Sequence, residues 1–139
     1  MATGDPIPDP DHLARAVGRG FDKDEVTSAA FCVRDIDNLK LSADWVECVY
    51  ADPNEASVKG SLSRLRRGSL KSGQQIALLN AVRIRGIEAV GPRLDAIEDP
   101  HPNWPCHSAI VGFTGEESDM HLQQGLADLA NSGRIVTLS

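Results

Sequence analysis

The sequence predicts an α+β fold: a single compact domain with a small mixed sheet of about 4–6 strands and about 3–4 helices. Its 139 residues fit one domain, and 41% hydrophobic with 24% charged residues is ordinary globular usage. Short runs that alternate apolar and polar residues lie between runs with helical spacing, which indicates both strands and helices. No stretch approaches about 18 consecutive apolar residues, so we predict no membrane span and no membrane partner.

The first residues are Pro-rich and acidic. We predict that residues 1–8 form a mobile tail, because prolines interrupt regular structure, and that residues 9–139 form the single α+β domain. The tail has neither a basic start nor an apolar stretch, so it does not predict a secretory signal.

The first predicted element is a short helix. Asp9 and Pro10 are residue types typical of a helix start, where a side chain caps free N–H groups and a missing N–H costs nothing. Apolar residues follow at helical spacing, namely Leu13, Ala14 and Val17. Either of the next two glycines, Gly18 or Gly20, would end this helix.

The next two elements are predicted to be strands. Residues 25–34 are rich in small and β-branched side chains, and four of them are expected to pack inward: Val26, Ala30, Phe31 and Val33. Leu39 and Leu41 flank a lysine, which indicates a second short strand that pairs back as a hairpin. Beyond it two readings stay open: a short helix capped by Ser42 or Asp44, or a strand that continues.

Residues 57–70 also allow two interpretations. A narrow apolar stripe formed by Val58, Leu62 and Leu65 favours a helix. The glycines and serines around it are poor helix formers, which favours a mobile basic loop.

Strands are predicted again further along the chain. Within residues 75–87, apolar positions 82 and 84 alternate with Arg83 and Arg85, which indicates a strand with one wet face. Residues 93–97 form another strand. Residues 107–113 form a buried strand that places four side chains on one face: His107, Ala109, Val111 and Phe113.

The last third of the chain predicts a strand, a helix and a strand. Thr114 and Glu117 match a capping box, and an apolar stripe follows at Leu122, Leu126 and Leu129. Residues 134–138 form the last strand. The run would be a right-handed crossover if its two strands were parallel neighbours.

The charges are segregated along the chain. The net charge is −6, yet residues 59–93 carry eight basic side chains and one acidic side chain. This basic segment can meet an anionic partner, or it can fold against the acidic flanks as internal ion pairs. The candidate partner-binding residues are Lys59, Arg64, Arg66, Arg67, Lys71, Arg83 and Arg85.

Composition favours a protein as that partner, with nucleic acid as the second class. The sequence pI of about 5.1 is far from the basic value typical of dedicated nucleic-acid binders. No aromatic residue lies between Ala51 and Pro102, which argues against a base-stacking platform.

Candidate chemistry concentrates in residues 95–108, where a Pro-rich loop leads to the head of a strand. His107 can serve as a general acid or base because histidine titrates near neutral pH, and Ser42 is a second candidate catalytic residue. The competing interpretation is a core histidine bonded to a carbonyl. Asp99 and His101 lie near in sequence, but no established metal spacing is present, so we predict neither a metal nor a cofactor.

The cysteines favour a reducing compartment. Three cysteines at unrelated spacings argue against a disulfide framework, so a cytoplasmic location is predicted. Cys32 and Cys48 lie among apolar residues and are expected to be small core residues. Cys106 and His107 are adjacent on a predicted strand and therefore point to opposite faces, which excludes a simple thiol–imidazole pair.

Three short motifs occur in order along the chain: Ala-Phe at 30–31, Leu-Ser at 41–42, and Asn103-Trp104-Pro105-Cys106-His107. This order resembles a group of small uncharacterised bacterial proteins with the pattern Ala-Phe … Leu-Ser … Asn-Pro-x-His, although Trp104 interrupts the Asn–Pro step here. The resemblance implies a bacterial cytoplasmic origin and no particular activity. It also suggests that Phe31, Ser42 and His107 form a cluster.

Two functions follow from these observations. The first is a non-enzymatic binding or accessory protein that uses the basic segment 59–93 to engage a protein or nucleic acid. The alternative is a small ribonuclease-like phosphodiester hydrolase with His107 as general acid or base and arginines stabilising the phosphoryl charge. Whether the protein is an enzyme stays open.

Overall fold

The computed structural model describes residues 4–17, 21–22, 25–33, 39–48, 75–87, 93–101, 106–117 and 119–137. The predicted helix or loop at residues 57–70 lies outside these ranges, as do Lys59, Arg64, Arg66, Arg67 and Lys71. Within the described ranges, no helix is both long enough and apolar enough to cross a membrane.

Six strands form one antiparallel sheet in the order β6-β7-β4-β1-β5-β8. They are β1 (His12–Ala16), β4 (Leu41–Trp45), β5 (Gln75–Asn80), β6 (Asp95–Glu98), β7 (His107–Val111) and β8 (Arg134–Thr137). A separate hairpin pairs β2 (Phe21–Asp22) with β3 (Glu25–Val26). Two α-helices, α1 (Ala81–Arg85) and α2 (Asp119–Ser132), accompany 3-10 turns at Ser28–Phe31 and Val46–Cys48. The α+β class is confirmed. The sheet is antiparallel instead of mixed, and the described residues contain two α-helices, fewer than predicted.

The predicted first helix is instead the strand β1. This strand lies between β4 and β5, and it buries Leu13 in the main core on one face and Ala14 in a smaller cluster on the other. A central strand covered on both faces carries apolar residues at successive positions. Such a run satisfies helical spacing by coincidence, which explains the wrong prediction.

One face of the sheet packs against α2 and the turn Ser28–Phe31. Phe31 is fully buried there, together with Leu126 of α2. The described residues 25–33 thus contain a two-residue strand and a turn, and not the single strand predicted for residues 25–34. The predicted inward positions are confirmed: Val26, Ala30 and Phe31 are buried, and Val33 packs against the core.

Residues 4–7 lie along β6. The N–H of Gly4 and that of Ile7 donate to the carbonyls of Glu98 and Ala96, at 2.8 and 3.0 Å. Ile7 is fully buried. This part of the N-terminal segment is therefore packed, contrary to the mobile tail predicted for residues 1–8, because an isoleucine between two prolines reaches the core. The single domain over residues 9–139 stays a prediction.

Residues 82–85 form part of α1 and not the predicted strand. Asn80 ends β5, and its side-chain oxygen accepts a hydrogen bond from the N–H of Arg83, which caps the helix. Ala81 and Ile84 are buried three residues apart, on the same side of the helix. The alternation of Val82 and Ile84 with arginines, which predicted a strand, thus occurs within a single turn of helix.

The remaining strand predictions are partly confirmed. The strands predicted at 93–97, 107–113 and 134–138 occur as β6, β7 and β8. β4 ends at Trp45 and a 3-10 turn follows, while its partners are β1 and β7 in place of a hairpin with residues 25–34. β7 and β8 are not neighbours, so the condition for the predicted crossover is not met.

The start of α2 differs from the predicted capping box. The helix begins at Asp119, and its buried carboxylate accepts hydrogen bonds from the N–H groups of Thr114 and Gly115 at 2.9 and 2.7 Å. The hydroxyl of Thr114 also donates to it, at 2.9 Å. The side chain that caps this turn is therefore Asp119, five residues after Thr114, and not the predicted Glu117.

We expect Asp119→Ala to lower the free energy of unfolding by about 2–3 kcal/mol, because the N–H groups of Thr114 and Gly115 and the hydroxyl of Thr114 lose their charged acceptor. Glu117→Ala, at an exposed position in the same turn, is the matched control and should change stability by less than about 0.5 kcal/mol. Urea denaturation of both variants measures the difference. Equal effects of the two substitutions would contradict this role for Asp119.

Candidate functional site

Three strands bring a histidine between two carboxylates on the sheet face opposite to α2. The β4–β7 register places Asp44 directly opposite His107. On the other side of β7, the N–H of Asp99 donates to the carbonyl of His107 at 3.0 Å, which extends the β6–β7 ladder by one residue. Residues directly opposite in an antiparallel pair project to the same face, with Cβ atoms about 4.5–5.5 Å apart. Asp44, His107 and Asp99 therefore form a row across the sheet.

His107 contacts both the backbone and the side chain of Asp99. Its Nδ1 lies 3.0 Å from the Asp99 carbonyl oxygen and 3.3 Å from Oδ2 of the Asp99 carboxylate. The His107 side chain is 11% exposed, and Asp44 on the other side is buried. The contact with a carbonyl is the feature expected of a core histidine, and the adjacent carboxylate adds an ionic partner.

His101 completes the group. Its Nε2 lies 3.6 Å from Oδ2 of Asp99, and its ring stacks on that of His107 with centroids 4.0 Å apart. The His101 side chain is 53% exposed. One ligand atom from each of Asp99, His101 and His107 lies within 4.8 Å of the others. We call these three residues the His–Asp cluster.

The sequence did not predict this cluster. Asp99 and His101 are two residues apart, but His107 joins them only because β6 and β7 are paired in a particular register. A signal was present in the spacing of one carboxylate and two histidines within nine residues, but it lacked a known motif. Strand pairing, and not sequence spacing, creates the site.

The predicted cluster of Phe31, Ser42 and His107 is only partly brought together. Ser42 lies two residues before Asp44 on β4, so its side chain projects to the same face as His107. Phe31 is buried in the core against α2, where Leu41 and Ala43 of β4 also pack. Phe31 is therefore on the opposite side of the sheet, because alternate residues of β4 face alternate sides.

The guanidinium group of Arg85 forms hydrogen bonds and ion pairs within the chain. Its Nε donates to Asp95 at 2.7 Å and its Nη1 to Asp9 at 2.6 Å. Its Nη2 donates to the carbonyls of Ile7 and Ala96 at 2.6 and 3.0 Å. Burial lowers the pKa of Arg85, but the hydrogen bonds that it donates to Asp95 and Asp9 and the negative charges of these residues outweigh burial, so the pKa is raised above its ordinary value. Arg85 is thus an internal clamp, which corrects its prediction as a partner-binding residue.

Arg83 has a different environment. It lies two residues before Arg85 on α1 and is exposed, as is Arg93 before β6. The neighbouring Val82 is 47% exposed. Of the seven predicted partner-binding residues, Arg83 is the one that the structure describes at the surface.

The cysteines overturn the predicted absence of disulfides. Cys48, after β4, and Cys106, before β7, form a disulfide across 58 residues. The N–H of Trp45 also donates to the Cys106 carbonyl, at 2.9 Å, so the disulfide links the ends of two strands that are already hydrogen-bonded to each other. Cys32 is free and exposed, in contrast to the buried position expected for it. Odd numbers of cysteines do not prevent one pair when the fold brings two together.

The disulfide ends one residue before His107. The pairing of β4 with β7 and the covalent bond together fix the first residue of β7, while the β6 ladder fixes Asp99. The histidine and carboxylate are consequently held on rigid elements, and the exposed His101 ring lies over them. Such a group can exchange protons between imidazole and carboxylate or bind a cation.

Comparisons with protein-family models, with curated proteins and with solved structures find no match to this chain.

Proposed function

We propose that this protein is a binding or accessory module that engages an anionic partner through its basic segment 59–93. The observation that supports this most is the contrast between two arginines of α1. Arg85 is used to anchor the helix against Asp9 and Asp95, while Arg83 is exposed on the same short helix. An anchored helix presents its exposed cation at a fixed position, which reduces the ordering cost of binding.

The partner class that we propose is a protein with an acidic surface. The basic segment is the one region of the chain with excess positive charge, in a protein whose net charge is −6. Exposed Val82, beside Arg83, adds an apolar contact that suits a protein partner. The acidic regions in the rest of the chain would repel other parts of the acidic partner, and this repulsion would orient the complex. Nucleic acid remains the second partner class, with the bacterial cytoplasm as the proposed location.

The alternative of a phosphodiester hydrolase rests on His107 beside Asp99. It also needs arginines to reach the phosphoryl group near His107. Arg85 is bound to Asp95, at the far end of β6 from Asp99, and Arg83 is on α1. Arg64, Arg66 and Arg67 lie outside the described residues. His107 and Ser42 therefore stay candidate catalytic residues of the alternative.

Charge reversal tests the binding proposal. The variant Arg64→Glu, Arg66→Glu, Arg67→Glu is compared with Lys23→Glu, Arg34→Glu, Lys40→Glu, which changes the net charge equally outside the basic segment. In pull-downs from source cells with quantitative mass spectrometry, we expect wild type and control to retain the same partner. The basic-segment variant should retain at least about tenfold less of this partner than wild type, because its charge steering and ion pairs are removed.

Nuclease treatment of the lysate separates the two partner classes. A protein retained after nuclease treatment supports the proposal, and retention that depends on intact RNA or DNA identifies the second class. Retention that is unchanged by reversal of the three arginines contradicts binding through the basic segment.

A further inference from the structure

We propose that the His–Asp cluster of Asp99, His101 and His107 binds a divalent first-row transition metal ion, with Zn²⁺ as the preferred ion. This inference is independent of the anion-binding function proposed above. It rests on donor chemistry, donor spacing and the rigidity of two of the three ligands.

The donor set suits such an ion. Neutral imidazole and carboxylate are common ligands of Zn²⁺, and three protein ligands leave a position for water or another molecule. Asp44, buried opposite His107, places a second carboxylate beside the cluster. A divalent cation would compensate negative charge concentrated at one point of a sheet face.

The donor spacing also fits. With metal–nitrogen and metal–oxygen bonds near 2.1 Å, ligand atoms around a tetrahedral ion lie about 3.4 Å apart. Oδ2 of Asp99 lies 3.3 Å from Nδ1 of His107 and 3.6 Å from Nε2 of His101. Both distances are within a few tenths of an ångström of that requirement. These three atoms are therefore the proposed ligands. Metal binding requires that Nδ1 of His107 loses the proton that it donates to the Asp99 carbonyl oxygen, so that the neutral ring carries its proton on Nε2 and the bond to the ion replaces this hydrogen bond.

Two ligands are fixed and one can adjust. Asp99 and His107 are opposite each other on paired strands, joined by a backbone hydrogen bond of 3.0 Å. His101 stacks on His107 at an interplanar angle of 22°, and lone pairs in nearly parallel rings do not converge on one point. His101 must tilt to direct its nitrogen at the ion. Its side chain is 53% exposed, so this movement displaces solvent and not core atoms.

The backbone around His101 limits that adjustment to the side chain. His101 is flanked by Pro100 and Pro102 in the sequence. Proline fixes its own φ angle and restricts the residue before it, so the histidine is presented from a stiff segment. A preorganised backbone lowers the entropy cost of bringing the third ligand to the ion.

Isothermal titration calorimetry with Zn²⁺ tests the site. The full chain is treated with a chelator, desalted and kept free of reductant so that the Cys48–Cys106 bridge stays closed. All proteins carry Cys32→Ser, because the exposed thiol is itself a zinc ligand. We expect one equivalent of Zn²⁺ to bind, and to raise the melting temperature since it binds the folded state.

Variants locate the bound ion. His101→Ala should weaken Zn²⁺ binding at least about tenfold because it removes a ligand, and Asp99→Asn should do the same because it replaces a carboxylate by a neutral amide. His121→Ala is the matched control, since His121 is exposed on α2 away from the cluster. It should bind Zn²⁺ like the parent protein. Circular dichroism of each variant checks that the fold is kept, and the exposure of His101 makes that variant the decisive one.

Two results would overturn the proposal. One is no detectable heat of binding and no shift in melting temperature at 100-fold molar excess of Zn²⁺. The other is equal Zn²⁺ affinity in the His101→Ala and His121→Ala proteins, which would show dispersed binding by surface groups. Neither result bears on partner binding by the basic segment, because that experiment changes only Arg64, Arg66 and Arg67.

Discussion

Opening the Cys48–Cys106 disulfide is expected to lower the free energy of unfolding by about 2–4 kcal/mol. The bridge spans 58 residues, and a closed loop of that length restricts the unfolded chain far more than the folded one. The double variant Cys48→Ser, Cys106→Ser gives this effect without reductant. Guanidinium denaturation of the variant and of the oxidised wild type measures the difference in free energy.

Cys32→Ser is the control for this experiment. Cys32 is free and exposed, so its replacement should leave stability within about 0.5 kcal/mol of wild type. Reductant should lower the stability of wild type and of Cys32→Ser equally and leave the double variant unchanged. A double variant as stable as oxidised wild type would contradict stabilisation of the protein by the bridge through restriction of the unfolded chain.

The bridge also bears on where the protein works. Disulfides persist in oxidising compartments and are rare in the cytosol of most organisms. The predicted cytoplasmic location was argued from unrelated cysteine spacings, and that argument fails once Cys48 and Cys106 are joined. The location thus stays a proposal that rests on the resemblance to bacterial proteins alone.

Arg85→Ala is expected to lower the free energy of unfolding by about 2–3 kcal/mol. Four donor contacts disappear, two to carboxylates and two to backbone carbonyls. Hydrogen bonds to charged groups are worth about 1.5–3 kcal/mol each when buried, and the exposure of Asp9 and Asp95 reduces their sum here. Urea denaturation measures the loss.

Arg83→Ala is the matched control for Arg85, since Arg83 is exposed on the same helix and should matter little to stability. Arg85→Lys should recover only part of the loss, because an ammonium group lacks the planar fork that reaches four acceptors. Similar stability of the Arg83 and Arg85 variants would contradict the clamp.

The clamp should be insensitive to pH in the ordinary range. Although burial acts to lower it, the pKa of Arg85 is raised by Asp95 and Asp9, so the guanidinium contributes its full stability at every pH below its unfolded pKa. That contribution is lost only as the pH rises through the still higher folded value. The difference between wild type and Arg85→Ala should therefore be the same at pH 7 and pH 9.

Predictions from local patterns succeeded where one side of an element is buried. The helix marked by the stripe Leu122, Leu126 and Leu129 exists, and so does the strand predicted at 93–97. The predictions failed at β1, where burial is two-sided, and at α1, which is a single turn. The strand at 107–113 was predicted although Ser108, Ala109 and Ile110 of β7 are all buried. In β1, neighbours on both faces remove the alternation by which a strand is recognised.

The candidate site shows the same division. His107 was identified from its residue type and its place after a Pro-rich loop, and Asp99 and His101 were noted beside it in the sequence. Their assembly into one cluster required the β6–β7 register, and the approach of Asp44 required β4 to lie next to β7. No spacing within the sequence encodes which strands become neighbours.

The sequence by itself determined the α+β class, part of the buried positions and the segregation of charge, because composition and periodicity indicate which side chains are removed from water. Only the tertiary structure decided the partners: Asp9 and Asp95 for Arg85, Cys48 for Cys106, and Asp99 for His107. These contacts depend on strand order and register. Both are set by the packing of the whole sheet against its core, in which residues far apart along the chain take part together.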